Sequence, residues 1–152
     1  MLTVEELQMP RFRVKNTYPG MHVDSFSLGQ IITLATHETD GWVYMPSLHN
    51  PGSYMRIGFF ELFPHLFEPL PWWKERRVED MPRYIKGKER IYEVTEWRKD
   101  MLGWFYPRNK VDGSTKDDTE NFANIEWHFF KDQFLPCDEA DYNAYLQTTK
   151  TN

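Results

Sequence analysis

The stretch Trp72-Trp73-Lys74-Glu75-Arg76-Arg77, followed closely by Arg83, carries the most distinctive side-chain chemistry in the chain. Arginine beside tryptophan is the residue mix of protein-interface hot spots. Cations interleaved with aromatic rings also form platforms on which single-stranded nucleic acid stacks. Adjacent side chains of an extended segment face opposite ways. One of Trp72 and Trp73 is therefore expected to anchor in the core and the other to stay out. Trp72, Trp73, Lys74, Arg76, Arg77 and Arg83 are the candidate binding residues. The same residues also suit a purely structural role, in which the tryptophans join two halves of the chain and the arginines pair with Glu75, Glu79 and Asp80.

Other chemistries find less to start from. The histidines are His22, His37, His49, His65 and His128, and no two have the spacing of a zinc-binding helix or stand near a Cys-x-x-Cys. In Asp112, Asp117, Asp118 and Glu120 the glycine, Gly113, directly follows the first carboxylate, whereas a calcium hand needs it at the sixth loop position. Cys137 lies between Pro136 and Asp138, with no adjacent base to lower its pKa. No Gly-x-Ser-x-Gly elbow or glycine-rich phosphate loop is present. Glu93 and Glu96 read as exposed charge on a strand and not as a general acid and base. No catalytic residue, metal ligand or cofactor site is assigned, and the chain is expected not to be an enzyme.

The elements that must position the Trp-Trp stretch come from a chain of 152 residues with 11 Phe, 8 Tyr and 6 Trp, an aromatic content that argues against disorder and favours strands. One cysteine allows no internal disulfide, and no signal peptide or long apolar run stands out, so a reducing interior and no membrane are expected. The net charge is −5, yet residues 72–90 hold 7 basic and 4 acidic groups, which makes the centre the one cationic region. An acidic body is a poor default for duplex DNA, whose affinity comes mainly from neutralising phosphates.

Thr3-Val4-Glu5-Glu6 has the form of a capping box opening a short helix. Phe12-Arg13-Val14-Lys15 alternates as a strand, and Gly29 to Thr36 is a β-branched strand. Asp40-Gly41 between apolar runs predicts a hairpin. Tyr18-Pro19-Gly20 and Pro46 to Gly52 read as turns, Tyr54 to Phe60 as a strand, and Phe63 to Pro69 as an edge segment. The order then recurs. Met81-Pro82-Arg83-Tyr84 echoes Met9-Pro10-Arg11-Phe12, and Arg90 to Thr95 echoes Ile31 to Thr36. Gly103-Trp104 echoes Gly41-Trp42, and Phe130 to Cys137 echoes Phe63 to Leu70. Four blocks in one order predict an internal repeat, with Trp42 matched to Trp104 and Phe67 to Phe134. The second copy carries an insertion at 110–121 whose composition predicts a mobile loop, and Asp138 caps a final helix with Tyr142, Tyr145 and Leu146 on one face.

This series of strands, Gly-Trp hairpin and closing Phe-x-Pro segment is similar to small SH3-like or KOW-like barrels. The centre, Trp72-Trp73 with Arg76-Arg77 and Met81-Pro82-Arg83-Tyr84, and the closing Leu135-Pro136-Cys137-Asp138-Glu139-Ala140-Asp141-Tyr142-Asn143 resemble small accessory proteins of tailed phages and prophages. The resemblance implies a mainly β chain of two tandem small SH3-like barrels with short terminal helices. The units would be 1–71 and 81–152, joined by a Trp-Trp/Arg-rich connector at 72–80. It implies a phage protein acting in the host cytoplasm. The expected function is non-enzymatic binding of another macromolecule, foremost a protein. The alternatives are a nucleic-acid-binding module using the connector, or a self-associating virion component.

Overall fold

A computed structural model describes residues 2–16, 26–45 and 54–150. The turns expected at Tyr18-Pro19-Gly20 and Pro46 to Gly52 lie outside the described residues. The chain is mainly β: among the described residues ten strands in small antiparallel sheets accompany four α-helices. It divides into two compact units, Met9–Trp72 on the one hand and Met1–Gln8 with Trp73–Asn152 on the other. The N-terminal helix α1, Val4–Gln8, thus belongs with the second unit, not the first as expected. The reciprocal Thr3–Glu6 capping bonds that start it are present at 3.1 and 3.2 Å. At its end, Gln8 Nε2 donates to the Pro136 carbonyl at 3.3 Å. Residues 73–80 are likewise part of this unit and not a separate connector.

In the Met9–Trp72 unit, β1 (Arg11–Val14) lies between β2 (Ile31–Thr33) and β6 (Phe67–Leu70), antiparallel to both. The Pro69-bearing segment therefore sits on a sheet edge, where a missing N–H costs no ladder bond. A second sheet joins β3 (Ala35–His37), β4 (Gly41–Tyr44) and β5 (Met55–Arg56). Gly41, with φ 74°, makes the β3–β4 hairpin turn that Asp40-Gly41 predicts. Tyr54 to Phe60 is not one strand: β5 ends at Arg56 and α2 (Ile57–Glu61) follows. The helix drops Phe60 into the core, where its ring stacks on Phe12 at 5.4 Å and meets Phe67 at 4.9 Å. Val14, Ile32, Leu34 and Leu66 complete this core.

In the other unit, β7 (Tyr84–Lys86) lies between β8 (Ile91–Lys99) and β10 (Leu135–Cys137), and β9 (Phe105–Asn109) extends the sheet beyond β8. A register shift between Val94 and Glu96 kinks β8 against β9. Helix α3 (Phe122–Phe130) precedes β10 and buries Ala123 and Trp127. Helix α4 (Glu139–Lys150) starts at Asp138, whose Oδ1 accepts the Asp141 N–H at 2.9 Å, and packs Tyr142 on the Tyr84 ring at 5.1 Å. The 110–121 segment, expected to be mobile, is tied down. The backbones of Lys110 and Asp117 pair in an isolated antiparallel β-bridge, the Gly113 N–H donates to the Tyr142 hydroxyl at 3.1 Å, and the Tyr145 hydroxyl donates to Asp112 at 2.8 Å.

The central strands have matching surroundings. Arg11 of β1 opposes Thr33 and Leu70, as Tyr84 of β7 opposes Glu93 and Cys137, which is one residue out of step with the expected match of Arg11 to Arg83. Leu34 N–H donates to the Pro10 carbonyl at 2.9 Å and Val94 N–H to that of Arg83 at 2.7 Å. Val14 N–H donates to Gln30 and Gly87 N–H to Arg90, at 2.9 and 2.8 Å. Trp42 and Trp104 do not coincide, since Trp42 is within β4 and Trp104 is in the turn before β9. The sheets are open, and no closed barrel is formed among the described residues.

Candidate functional site

The wall of the site begins with a turn over residues 72–75, in which Glu75 takes a left-handed conformation at φ 54°. A non-glycine residue there is uncommon. The turn reverses the chain so that Trp73, Lys74, Glu75, Arg76 and Arg77 line one surface cleft of about 590 Å3. Arg77 is then fixed by the following 3-10 turn, Val78–Asp80, where it reaches the Asp80 carboxylate through Nε at 3.2 Å. That hydrogen bond raises the Arg77 pKa and holds the Asp80 carboxyl below its ordinary range. Arg76 is half-buried, and desolvation lowers its pKa against the opposing pull of Asp80 and Glu6.

The opposite wall is the β8–β9 turn, which supplies Lys99, Leu102, Gly103 and Trp104. Asp100 builds that turn: its Oδ1 accepts the N–H groups of Leu102 and Trp104, both at 2.9 Å, and its Oδ2 accepts the Tyr106 hydroxyl at 3.1 Å. The bond from Trp104 N–H is the leading reason that the Asp100 carboxyl titrates below its usual range. Gly103, at φ 86°, completes the turn. The outcome is that Met101, Leu102 and Trp104 stand out, Trp104 being 47% exposed. Lys99 Nζ crosses the cleft to the Arg76 carbonyl at 2.9 Å and fastens the walls together.

Both tryptophans of the cleft also meet Lys131, the residue directly after α3, which is not itself part of the lining. Its ammonium is 3.6 Å from the Trp104 ring centroid and 5.2 Å from that of Trp73, within the range of a cation–π interaction. Trp73 leans edge-on against Trp127 at 6.1 Å, and Trp127 against Trp97 at 5.1 Å. Trp97 is fixed in turn by its Nε1–H, which donates to the Pro82 carbonyl at 2.7 Å. Buried aromatics thus hold the cleft's inner ring in place.

The candidate residues separate into three places. Trp73, Lys74, Arg76 and Arg77 share the cleft. Trp72 belongs to the Met9–Trp72 unit, where its carbonyl and that of Pro71 accept from the buried Arg11 guanidinium at 3.3 and 3.0 Å. Trp72 and Trp73 are both half-buried, so they do not divide between core and solvent as expected from an extended segment; the chain turns there. Arg83 donates to the Glu93 carboxylate at 2.8 Å, and Lys110 reaches the same oxygen at 3.3 Å. Burial acts to raise the Glu93 carboxyl, and the hydrogen bonds from Arg83 and Lys110 outweigh it, so Glu93 titrates low.

Sequence reasoning missed Lys99, Leu102 and Lys131. The usable signal was Met101-Leu102-Gly103-Trp104, three large apolar side chains around a hairpin glycine, where a turn is normally polar. Cys137 is buried beside β7, and burial raises its thiol to about 12, which leaves it inert as a nucleophile. Among the described residues, no group of three His, Cys, Asp or Glu side chains is placed to hold a metal ion, and no helix is long and apolar enough to cross a membrane. Compared with protein-family models, curated proteins and solved structures, the chain matches none.

Proposed function

We propose that this is a non-enzymatic interaction protein that binds another macromolecule, foremost a protein, through the Trp73–Trp104 cleft. The observation that carries this reading is the exposed Met101-Leu102-Trp104 edge beside a cleft lined by Lys74, Arg76, Arg77 and Lys99. Aromatic and arginine anchors at a partly desolvated recess are where interface energy concentrates. The walls are fixed by Asp100 and Lys99, so little ordering entropy remains to oppose binding.

The phage accessory role and the paired SH3-like architecture belong to the same proposal. Support comes from the central strands β1 and β7, each with a matched hydrogen bond at either end and a Phe60–Phe67 or Trp127–Phe134 ring pair behind it. These pairs share the spacing by which Phe63 to Leu70 echoes Phe130 to Cys137, as a duplicated unit requires.

A photo-crosslinking amino acid at position 104 tests the function. In cells carrying the gene, it should give one defined protein adduct that the same label at the exposed Thr119 does not give. Adducts to nucleic acid alone would replace this reading with the nucleic-acid one, for which the cations of the cleft are the specific support. Identical adducts from both positions would overturn it.

A further inference from the structure

Helix α3 is apolar on two opposite sides. Ala123 and Trp127 are buried, and Trp127 packs there against Trp73 and Trp97. On the other side, Phe122, Ile125 and Phe129 follow one another at i, i+3 and i+7, the spacing of a single helical stripe. These three and the adjoining Phe130 are between 39% and 71% exposed. A surface helix normally turns charged and polar side chains to water on that side, and a helix apolar all round is a buried one. The stripe has few polar neighbours. The Phe129 ring lies 5.4 Å from that of His128 and 6.3 Å from that of Phe130. The Arg90 guanidinium stands 5.8 Å from the Phe122 ring, and Asp112 neutralises it at 3.6 Å. Glu126, the one carboxylate of the helix, is half-buried at the border of the stripe, in a depression that it shares with Arg90.

We propose that this stripe is the centre of a two-fold interface, at which α3 packs antiparallel against α3 of a second copy of the chain. Two observations favour a second copy over a foreign partner. The first is charge. Around a two-fold axis each residue comes close to its own copy, so a charged group there repels itself. Phe122, Ile125 and Phe129 carry no charge. The exposed Met101-Leu102-Trp104 edge, by contrast, stands beside Lys74, Arg76, Arg77 and Lys99, which self-contact would bring against one another. That edge suits a different protein, and the α3 stripe suits itself. The second observation is area. A whole aromatic side chain offers ~150–250 Å2, so the four exposed residues present roughly 400 Å2 of apolar surface on each copy. Two copies together bring ~800 Å2, about the ~65% apolar share of a homodimer interface at the small end of the ~1,200–2,000 Å2 range. Ile125, in the middle of the stripe, lies nearest the axis, and antiparallel packing sets Phe122 of one copy beside Phe129 of the other. The stripe is on the side of α3 away from Trp127 and its contact with Trp73, so pairing leaves the Trp73–Trp104 cleft open and gives the assembly two of them.

The test uses the full chain. Sedimentation equilibrium over roughly 1–200 μM should show the mass rising from one chain toward two, since an interface of this size falls at the weak, micromolar end of the range. Raising salt from roughly 50 to 500 mM should not weaken the association, because no charge pair holds it. Phe129→Lys, at an exposed position, should raise the dissociation constant at least about tenfold, because its ammonium would have to be buried against Phe122 of the other copy. Leu102→Lys, at the rim of the cleft, should leave the association unchanged. Ile125→Cys should give a disulfide-linked dimer on mild oxidation, because only residues near the axis approach their own copies closely enough to bridge. Asn143→Cys, exposed on α4, should give none, and the buried Cys137 does not compete. The cysteine variants keep the test valid should Phe129→Lys fail to fold. A chain that stays monomeric over the whole range, an association that Leu102→Lys weakens and Phe129→Lys does not, or equal crosslinking from positions 125 and 143 would overturn the inference. A monomer that still crosslinks to one foreign protein from position 104 would overturn the self-association and leave the proposed function standing.

Discussion

The contact between Lys131 and Trp104 is the place where the cleft's structure can be measured apart from any ligand. The ammonium is 3.6 Å from the ring centroid of Trp104, well inside the ~6 Å limit for a cation–π interaction, and 5.2 Å from that of Trp73. Exposed pairs of this kind contribute about 0.5–1 kcal/mol and desolvated ones about 2. Trp104 is 47% exposed and Lys131 half-buried, which places the pair near 1 kcal/mol. Single substitutions would not isolate it. Lys131 follows the last turn of α3, so Lys131→Met also loses a favourable charge at the negative end of a helix, worth about 0.3–1 kcal/mol. Trp104→Leu also removes apolar contact. A double-mutant cycle with Lys131→Met and Trp104→Leu cancels both side effects, because each appears on two parallel edges of the cycle. Urea unfolding followed by far-ultraviolet circular dichroism and by fluorescence supplies the four free energies, provided the two signals coincide. The expected coupling is about 1 kcal/mol, clear of the ~0.3–0.5 kcal/mol within which independent sites add. A coupling inside that margin would mean that the ammonium does not reside on the ring.

Three further outcomes follow from the packing. A Cβ on Gly87 would lie 2.9 Å from Phe134 Cε1 and 3.2 Å from Cζ, so Gly87→Ala should destabilise by about 1–3 kcal/mol in denaturant, and Phe134→Leu in the same chain should recover part of the loss. Asn109 is 1% exposed; it accepts the Ala123 N–H at 3.2 Å and donates to the Lys110 carbonyl and Asp118, so Asn109→Ala should cost about 3 kcal/mol or more and leave that N–H unpaired, as read by faster amide exchange at Ala123. Glu93 titrates low in the folded state, so its contribution is present above the ordinary glutamate pKa of about 4.3 and is lost as pH falls through the folded value. The melting-temperature gap between the parent and Glu93→Gln should therefore be full at neutral pH and close on acidification; a gap that is constant down to pH ~2 would show that Arg83 and Lys110 do not stabilise the charged carboxylate.

How much of this was legible in the sequence depends on the range of the interaction concerned. Thr3 with Glu6, Asp40-Gly41 and Asp138 with Asp141 are contacts within four residues, and each was readable because side chain and backbone partner travel together along the chain. Strands β1 and β8 follow from alternating and β-branched runs, whereas the single strand expected over Gly29 to Thr36 breaks at Leu34 into β2 and β3, which belong to different sheets. Helix α2 did not follow, because Ile57-Gly58-Phe59-Phe60 is as apolar and aromatic as a strand, and what decides for a helix is Phe60 meeting Phe67 and the sequence-distant Phe12. The loop 110–121 has the composition of a mobile segment, yet Tyr142 and Tyr145, some thirty residues on, hold it. The site shows the same limit. Proximity in sequence grouped Trp72 with Trp73 and Arg83 with Arg77, yet Trp72 belongs to the Met9–Trp72 unit and Arg83 is held by the Glu93 carboxylate. What joins Trp73 to Trp104 is the β8–β9 register, which brings Lys99 opposite Phe105, and the exit of α3, which delivers Lys131. The two walls of the cleft come from residues 73–77 and 99–104, so composition could point to one wall, and only the pairing of strands could supply the other.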